Sequence, residues 1–280
     1  MLKRIITAVV CIAILISVLI FSDTWVFTLV LGVLALLAVY EIAGCINVRR
    51  KYLLSFTSYL FTAVVIFLMT TFFMGFDRFI PTLFAVGYAY LFLIFVFTML
   101  SCGNIKFSQA AELVSATCYI IIGFLCIFLL RHWPDTGKYL YLLIFIGAWM
   151  TDTGAYFAGV LLGKHKLIPK VSPKKTVEGA VGGIFGCMAG YAVYGVILDK
   201  CFSVSVNYLS LIVLSVIIGV VSQLGDLVAS YIKRECGIKD FGFIFPGHGG
   251  VMDRFDSIIA VAPVIYGIML FLPEHLYIFG

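Results

Sequence analysis

Long apolar stretches dominate this chain and limit it to one class of fold. Nine of them are long enough for a helix to cross a lipid bilayer, which takes ~20 mostly apolar residues. They lie at about residues 5–21, 25–45, 54–75, 79–99, 110–130, 139–162, 179–198, 208–232 and 257–273. Because a helix satisfies its own main-chain hydrogen bonds in lipid, the sequence predicts an all-α, polytopic membrane bundle of about nine transmembrane helices.

The composition excludes a soluble domain. Of the 280 residues, 63% are hydrophobic and 12% are charged, and the mean hydropathy is +1.14. Soluble domains average about 45–50% apolar and about 25% charged residues. The first apolar stretch follows Lys3 and Arg4 but has no small-residue cleavage site before Ser22, so we expect a retained first span rather than a signal peptide.

Lysine and arginine residues predict the orientation of the bundle. If the N-terminus is cytoplasmic, alternate loops place 15 of the 19 basic residues on the cytoplasmic side and four on the other side. This is the asymmetry that membrane proteins show. It places the charged connections 163–178 and 233–256 on the cytoplasmic face of the membrane. The net charge of +5 reflects this asymmetry, and we expect no nucleic-acid partner.

Polar residues are unevenly distributed over the predicted spans. The first five spans contain Glu41 and Glu112 near their ends and otherwise only small hydroxyl groups. The residues able to do chemistry are concentrated after about residue 148. We therefore expect an N-terminal scaffold half, residues 1–138, and a C-terminal catalytic half, residues 139–280, without a clean linker.

Eight cysteines are spread along the chain, most of them inside apolar stretches, and none form a C-x-x-C pair. We expect them to be small, polarizable packing residues, with disulfide bonds or metal ligation as the alternatives. The spacing by itself defines neither a disulfide framework nor a metal site.

The most informative segment runs from Ser230 to Asp256 and reads SYIKRECGIKDFGFIFPGHGGVMDRFD. Charge beside lipid is costly, so a dense group of charged residues indicates chemistry or an ion path. Its cations suit a polyphosphate, its carboxylates suit Mg²⁺, and its glycines let main-chain N–H groups approach an anion. Just upstream, Asp226, Ser230 and Lys233 have the spacing of one helical stripe. Mutual pairing of Asp226 and Lys233 would explain only part of that stripe.

Two further motifs precede this segment. Asp152 lies between two threonines inside the sixth span, with Tyr156 one turn later. We interpret Asp152 as a metal ligand or ligand contact facing the bundle interior; a protonated or helix-capping carboxylate is the alternative. Lys174 and Lys175 lie in Ser-Pro-Lys-Lys-Thr-Val-Glu-Gly, just before a glycine-rich span. Such lysines bind phosphates, although anchoring to anionic lipid would use the same charges.

At these residues the chain resembles the phosphatidate cytidylyltransferase family, also called CDP-diacylglycerol synthases. The family's C-terminal motif is met by Ser230, Lys233-Arg234, Lys239-Asp240, Pro246-Gly-His-Gly-Gly250 and Asp253-Arg-Phe-Asp256. The resemblance covers residues 148–257. It implies transfer of a cytidylyl group from CTP to phosphatidate, which gives CDP-diacylglycerol and pyrophosphate, with Mg²⁺ as the cofactor.

The resemblance, read together with the residue chemistry, suggests a role for each site residue. We expect the metal to be bound by Asp226 and Asp253, with Asp152 and Asp256 as helpers. The residues expected to act in catalysis are Asp226, Asp253, Lys233 and Lys239. Those expected to bind CTP and the lipid headgroup are Lys174, Lys175, Ser230, Arg234, His248, Gly249, Gly250 and Arg254. The expected partners are CTP, phosphatidate and the bilayer, and a homodimer is one candidate oligomeric state.

Two other functions use some of the same residues. A CTP-dependent polyprenol or phytol kinase would use the same charges to transfer a phosphoryl rather than a cytidylyl group, but the complete C-terminal motif favours the cytidylyltransferase. A cation transporter or channel would explain Asp152 and Asp226. It would leave the basic loops and the His-Gly-Gly turn without a role.

Overall fold

The structure, a computed structural model, describes residues 17–71, 76–245, 247 and 249–280 of the chain. The long helices in this part are α1 (Trp25–Cys45), α2 (Tyr52–Thr71), α3 (Phe76–Leu100), α4 (Phe107–Arg131), α5 (Gly137–Leu162), α6 (Val177–Phe202), α7 (Tyr208–Glu235) and α8 (Met252–Phe271). All eight are long and apolar enough to cross a membrane. This confirms the predicted class, a polytopic helical membrane bundle. The predicted first span, 5–21, lies mainly outside the described residues.

Two of these helices extend further into the charged connection than the sequence predicts. Helix α7 continues to Glu235 and ends with Lys233 and Arg234 in its last turn. Helix α8 begins at Met252 with Asp253 in its first turn. Basic side chains stabilise a helix C-terminus and acidic ones an N-terminus, so these charges prolong the helices instead of ending them. Asp253 and Asp256 therefore project from helical turns and not from a loop.

The connection between α5 and α6 contains a small antiparallel hairpin of strands β1 (Lys166–Ile168) and β2 (Ser172–Thr176). The sequence predicts an extended loop here but no sheet. The Glu178 carboxylate accepts the main-chain N–H groups of Lys164 at 3.1 Å and His165 at 3.2 Å, and it contacts His165 Nδ1 at 2.6 Å. Thr176 caps α6 by accepting the N–H of Gly179 at 3.1 Å. Both contacts fix the hairpin to the start of α6.

The chain divides into two compact units. The first contains the described residues of 1–125 together with 236–254, and the second contains 126–235 together with 255–280. Helices α4 and α8 therefore each contribute to both units. The predicted division at residue 138 separates a scaffold half from a catalytic half by function rather than by packing, and it stays a prediction.

In the second unit, α5 and α6 pack closely because small residues line their contact. A Cβ atom added at Gly186 would lie 2.5 Å from the carbonyl oxygen of Met150, so only glycine permits this approach. Close helix pairs in membranes use small residues in the same way. The fully buried Tyr191 donates its hydroxyl to the Leu143 carbonyl at 2.8 Å. The two helices thus form a well-packed support for the hairpin that joins them.

In the first unit, a disulfide joins Cys45 at the end of α1 to Cys236, with 5.7 Å between their Cα atoms. The expectation that the cysteines act only in packing is wrong for this pair. Spacing along the chain could not reveal the pairing, because 191 residues separate the two cysteines. The other cysteines of the described part are free: Cys102, Cys118, Cys126, Cys187 and Cys201.

Candidate active site

An ion pair in the second unit joins the basic hairpin to the acidic stripe of α7. Lys175 Nζ lies 2.5 Å from Asp226 Oδ2 and 3.4 Å from the carbonyl oxygen of Gln223. Ser230 donates its hydroxyl to Asp226 Oδ1 at 3.4 Å, one turn along the helix. The ion-pair partner of Asp226 is thus a lysine from the other charged connection. Lys175 and Asp226 are both only partly buried, so a ligand could exchange with either charge.

A second carboxylate lies close to this pair. Asp256, in α8, interacts electrostatically with Asp226, Lys233 and Asp152. The helices approach closely at this point, since a Cβ atom at Gly225 would lie 3.0 Å from the Asp256 carbonyl oxygen. Asp152 is exposed, and its expected role as a metal ligand or ligand contact stays a prediction. Carboxylates at short range repel one another, and a cation between them relieves that repulsion.

Further cations lie in the hairpin and at the end of α7. Arg234, at the end of α7, donates its Nε–H to the Val171 carbonyl in the hairpin at 3.4 Å. Lys174 is exposed on β2, next to Lys175. Exposed ammonium and guanidinium groups are well suited to bind phosphate oxygens. The hairpin and the end of α7 therefore present several cations beside the carboxylates.

The first unit holds the other described site residues around a tight turn, which we call the glycine segment (the described residues of 241–252). Asp253 Oδ2 accepts the N–H groups of Phe241 at 2.8 Å and Gly250 at 2.9 Å. Gly249 has a φ of +84°, and a Cβ atom there would lie 2.7 Å from Asp253 Oδ2. The left-handed backbone and the close carboxylate both require glycine at this position. Asp253 thus closes the segment on itself.

Glu41 is a site residue to which sequence reasoning assigned no role. The residue is 2% exposed, and its carboxylate accepts the N–H groups of Val251 at 3.0 Å and Met252 at 2.9 Å. These residues lie at the start of α8, immediately before Asp253. The only sequence signal is a single carboxylate late in an apolar stretch, which does not reveal its partners.

The predicted site residues fall into two groups. The second unit brings together Asp152, Lys174, Lys175, Asp226, Ser230, Lys233, Arg234 and Asp256. The first unit contains Lys239, Gly249, Gly250, Asp253 and Arg254, of which Lys239 and Arg254 are exposed. His248 lies outside the described residues.

The carboxylates can be compared with what Mg²⁺ requires. No group of three or more His, Cys, Asp or Glu side chains in the described part of the chain is arranged to share one metal ion. Mg²⁺ is usually held by one or two carboxylates, with substrate phosphates and water completing the shell. The mutually repelling pair of Asp226 and Asp256 fits that requirement.

The fold and these two groups of residues define a class: a helical membrane protein in which basic and acidic side chains meet at helix ends. Residues 2–272 match a family profile described as "Cytidylyltransferase family". The match covers nearly the whole chain. The chain belongs to the cytidylyltransferase family.

Curated relatives carry a more specific name. The phosphatidate cytidylyltransferase of Staphylococcus saprophyticus is 41% identical over 174 residues, which cover 62% of this chain and 64% of the relative. The protein of the same name from Staphylococcus haemolyticus is 38% identical over 174 residues, with the same shares. The Staphylococcus aureus protein is 41% identical over 176 residues. The chain thus spans 64% of the length of these relatives.

Proposed function

We propose that the protein is a phosphatidate cytidylyltransferase, which converts CTP and phosphatidate into CDP-diacylglycerol and pyrophosphate. Its membership of the cytidylyltransferase family supports this proposal, as do relatives of that name at about 40% identity. The membrane-spanning helices suit a substrate that resides in a bilayer.

The reaction needs no covalent enzyme intermediate. A phosphate oxygen of phosphatidate attacks the α-phosphorus of CTP, the bond from that phosphorus to the bridging β-oxygen breaks, and pyrophosphate leaves with the electron pair. The lipid phosphate is already an anionic nucleophile, so a general base is not required. The protein's task is to bring two anions together and to neutralise the charge on the leaving group.

The observation that carries the proposal is the contact between Lys175 and Asp226. It joins the residues suited to phosphate with those suited to a metal at one place. In the proposed mechanism, Asp226 and Asp256 would hold Mg²⁺, which would neutralise phosphate charge; a metal-binding role for Asp253 is proposed from the sequence alone. Lys175 then leaves Asp226 and binds a CTP phosphate, together with Lys174 and Arg234. Lys233 lies near enough to Asp256 to balance that carboxylate.

The lipid has a defined route in this proposal. Its acyl chains stay in the bilayer, and only the headgroup reaches the basic hairpin at the membrane surface. The positive-inside distribution supports a cytoplasmic location for the hairpin, where CTP is available, in the cell membrane of a bacterium. A homodimer is compatible with this arrangement.

Transfer of label from CTP tests the activity directly. Purified protein in detergent micelles is incubated with phosphatidate, Mg²⁺ and CTP labelled at the α-phosphate. We expect label in the lipid product and one pyrophosphate released for each CDP-diacylglycerol formed. A lipid kinase would transfer the γ-phosphate instead, so the lipid would carry no label from α-labelled CTP. Unlabelled lipid in this assay would overturn the proposal.

A matched pair of variants connects the activity to the site. Asp226→Asn removes the charge that Lys175 contacts, whereas Asp199→Asn changes an aspartate of α6 that contacts its neighbour Lys200 at 3.2 Å. We expect the first variant to be inactive and the second to retain wild-type turnover. Equal activity in both would remove Asp226 from the proposed site.

A further inference from the structure

Helix α1 supplies a buried carboxylate to a segment more than 200 residues away. Glu41 Oε1 accepts the N–H of Val251 at 3.0 Å, and Oε2 accepts that of Met252 at 2.9 Å. The sequence separations are 210 and 211 residues. With 2% of the residue exposed, the carboxylate has little access to solvent or to a ligand. Its contacts indicate that it acts on the main chain of the glycine segment.

A buried charge needs strong compensation, and the start of α8 supplies it. Removing a carboxylate from water costs several kcal/mol unless hydrogen bonds and opposite charge offset the loss. Met252 is the first residue of α8, where main-chain N–H groups have no partner inside the helix and the helix dipole is positive. Arg49 adds a favourable electrostatic interaction, whereas Asp253 adds an unfavourable one. Glu41 is therefore matched to this helix end.

The main chain of the glycine segment surrounds the carboxylate on more than one side. Gly242 and Gly250 both approach Glu41 so closely that a Cβ atom at either position would overlap its carboxylate. Gly250 also donates its N–H to Asp253. The same glycine thus contacts two carboxylates, one from α1 and one from α8.

A second attachment lies one turn further along α1. Cys45 is bonded to Cys236, which precedes the glycine segment, and residues four apart lie on the same side of a helix. The stretch from Cys236 to Met252 is therefore held by α1 at both ends, covalently at one and by the Glu41 carboxylate at the other.

We propose that Glu41 is a positioning residue, which fixes the glycine segment and through it the Asp253 side chain. Glu41 itself does not touch substrate, because both of its oxygens accept main-chain N–H groups. The effect on turnover rests on the proposed cytidylyltransferase function. The effect on the backbone of residues 241–252 does not depend on it.

The experiment compares Glu41→Gln with Glu112→Gln, which changes an exposed glutamate of another apolar helix. A glutamine can accept one of the two N–H groups, but its NH₂ group faces the other donor. We expect kcat for CDP-diacylglycerol formation to fall about 10- to 100-fold in Glu41→Gln, the range for losing a hydrogen bond to a charged group. The KM for phosphatidate should stay within about twofold. Glu112→Gln should behave as wild type.

Hydrogen exchange provides a readout that does not require activity. Peptides covering 241–252 should exchange about tenfold faster or more in Glu41→Gln, while peptides from α5 and α6 keep their wild-type protection. Wild-type exchange in 241–252 would overturn the positioning role. Faster exchange with full turnover would overturn the link to catalysis.

A second variant covers the case in which Glu41→Gln does not fold. Glu41→Asp keeps the charge but is one methylene shorter, so it reaches only one of the two N–H groups, and the same two readouts apply. If the wild-type enzyme transfers no label from CTP, the proposed function fails. The exchange result still decides whether Glu41 fixes the segment.

Discussion

The carboxylates of the two units have different kinds of partner. In the first unit, Glu41 and Asp253 each accept two main-chain N–H groups from the glycine segment or the start of α8. In the second unit, Asp226 contacts the Lys175 ammonium and the Ser230 hydroxyl, and Asp256 interacts with Asp226, Lys233 and Asp152. The carboxylates of the first unit thus bind main-chain groups, whereas those of the second unit interact with side chains.

This difference separates positioning from chemistry. A carboxylate bonded to main-chain amides cannot change partner without moving the chain, so it preserves a shape. A carboxylate beside lysines can exchange them for a metal or a phosphate-bound cation, because ammonium groups on long side chains move easily. Asp253 was predicted from the sequence as a metal ligand, and its observed contacts add a structural task to that prediction.

The largest expected effect is the loss of turnover in Asp226→Asn, which tests whether the carboxylates of the second unit act in the chemistry. Asp226→Asn should lower turnover by about 10³-fold or more, because a charge that neutralises phosphates is lost from the reacting centre. The unfolding temperature should change little, since Asp226 is only partly buried. Labelled-CTP turnover and thermal unfolding in detergent measure both quantities. A variant that loses stability along with activity would break the contrast.

Asp253→Asn should also abolish turnover while the protein still inserts into the membrane, and it should raise hydrogen exchange at Phe241 and Gly250. Those residues donate to the carboxylate that this variant alters. Full activity in Asp253→Asn would remove Asp253 from the proposed metal site.

The shape of the glycine segment can be tested with two alanine substitutions. Gly237 and Gly249 both have a positive φ, but a Cβ atom at Gly237 meets nothing within 4 Å, whereas one at Gly249 meets Asp253. Gly237→Ala should cost about 1 kcal/mol, from backbone conformation alone. Gly249→Ala should cost about 2–4 kcal/mol, because steric overlap is added. Equal unfolding free energies for the two variants would show that the Asp253 side chain moves away from the added Cβ atom without destabilising the protein.

The disulfide between Cys45 and Cys236 is expected to contribute to the stability of the first unit. Cys236→Ser should lower the unfolding free energy by about 2–4 kcal/mol, the typical range for a disulfide. Cys201→Ser, which changes an exposed free cysteine, should have no effect. Dithiothreitol should lower the unfolding temperature of the wild type but not of Cys236→Ser. An unchanged wild type under reduction would contradict a stabilising role.

The smallest expected effect concerns the hairpin. Glu178→Gln weakens the contacts to Lys164 and His165 that fix the hairpin to α6. Trypsin should then cleave at the exposed Lys170, between the strands, about threefold faster. The purified variant should otherwise be as stable as the wild type. Cleavage at the wild-type rate would indicate that the strands alone hold the hairpin.

Much of the helical architecture could be predicted because it depends on local composition. The predicted span 25–45 coincides with α1, since apolar length alone defines it. The ends of α7 and α8 were misplaced because charges were interpreted as loop residues, whereas helix ends favour them. The hairpin strands are too short for a periodic pattern to identify them.

The site was predictable where side chains recognise side chains. Lys175 and Asp226 belong to charged motifs that stand out in an apolar chain, and their contact joins those motifs. Glu41 could not be assigned because its partners are main-chain amides, which every residue except proline carries. The pairing of Cys45 with Cys236 was likewise hidden, because no local pattern specifies which two cysteines meet.

The contact between Glu41 and the start of α8 also has a consequence for biosynthesis. Glu41 is made 210 residues before Val251, and at about 5–20 residues per second this interval is about 10–40 s. During that time the carboxylate has none of its final hydrogen-bond donors. A chain cut short before residue 251 would carry Lys175 and Asp226 but leave Glu41 unmatched. Ribosome stalling before residue 251 would therefore yield a protein that has Lys175 and Asp226 but lacks Asp253, Asp256 and the end of the glycine segment.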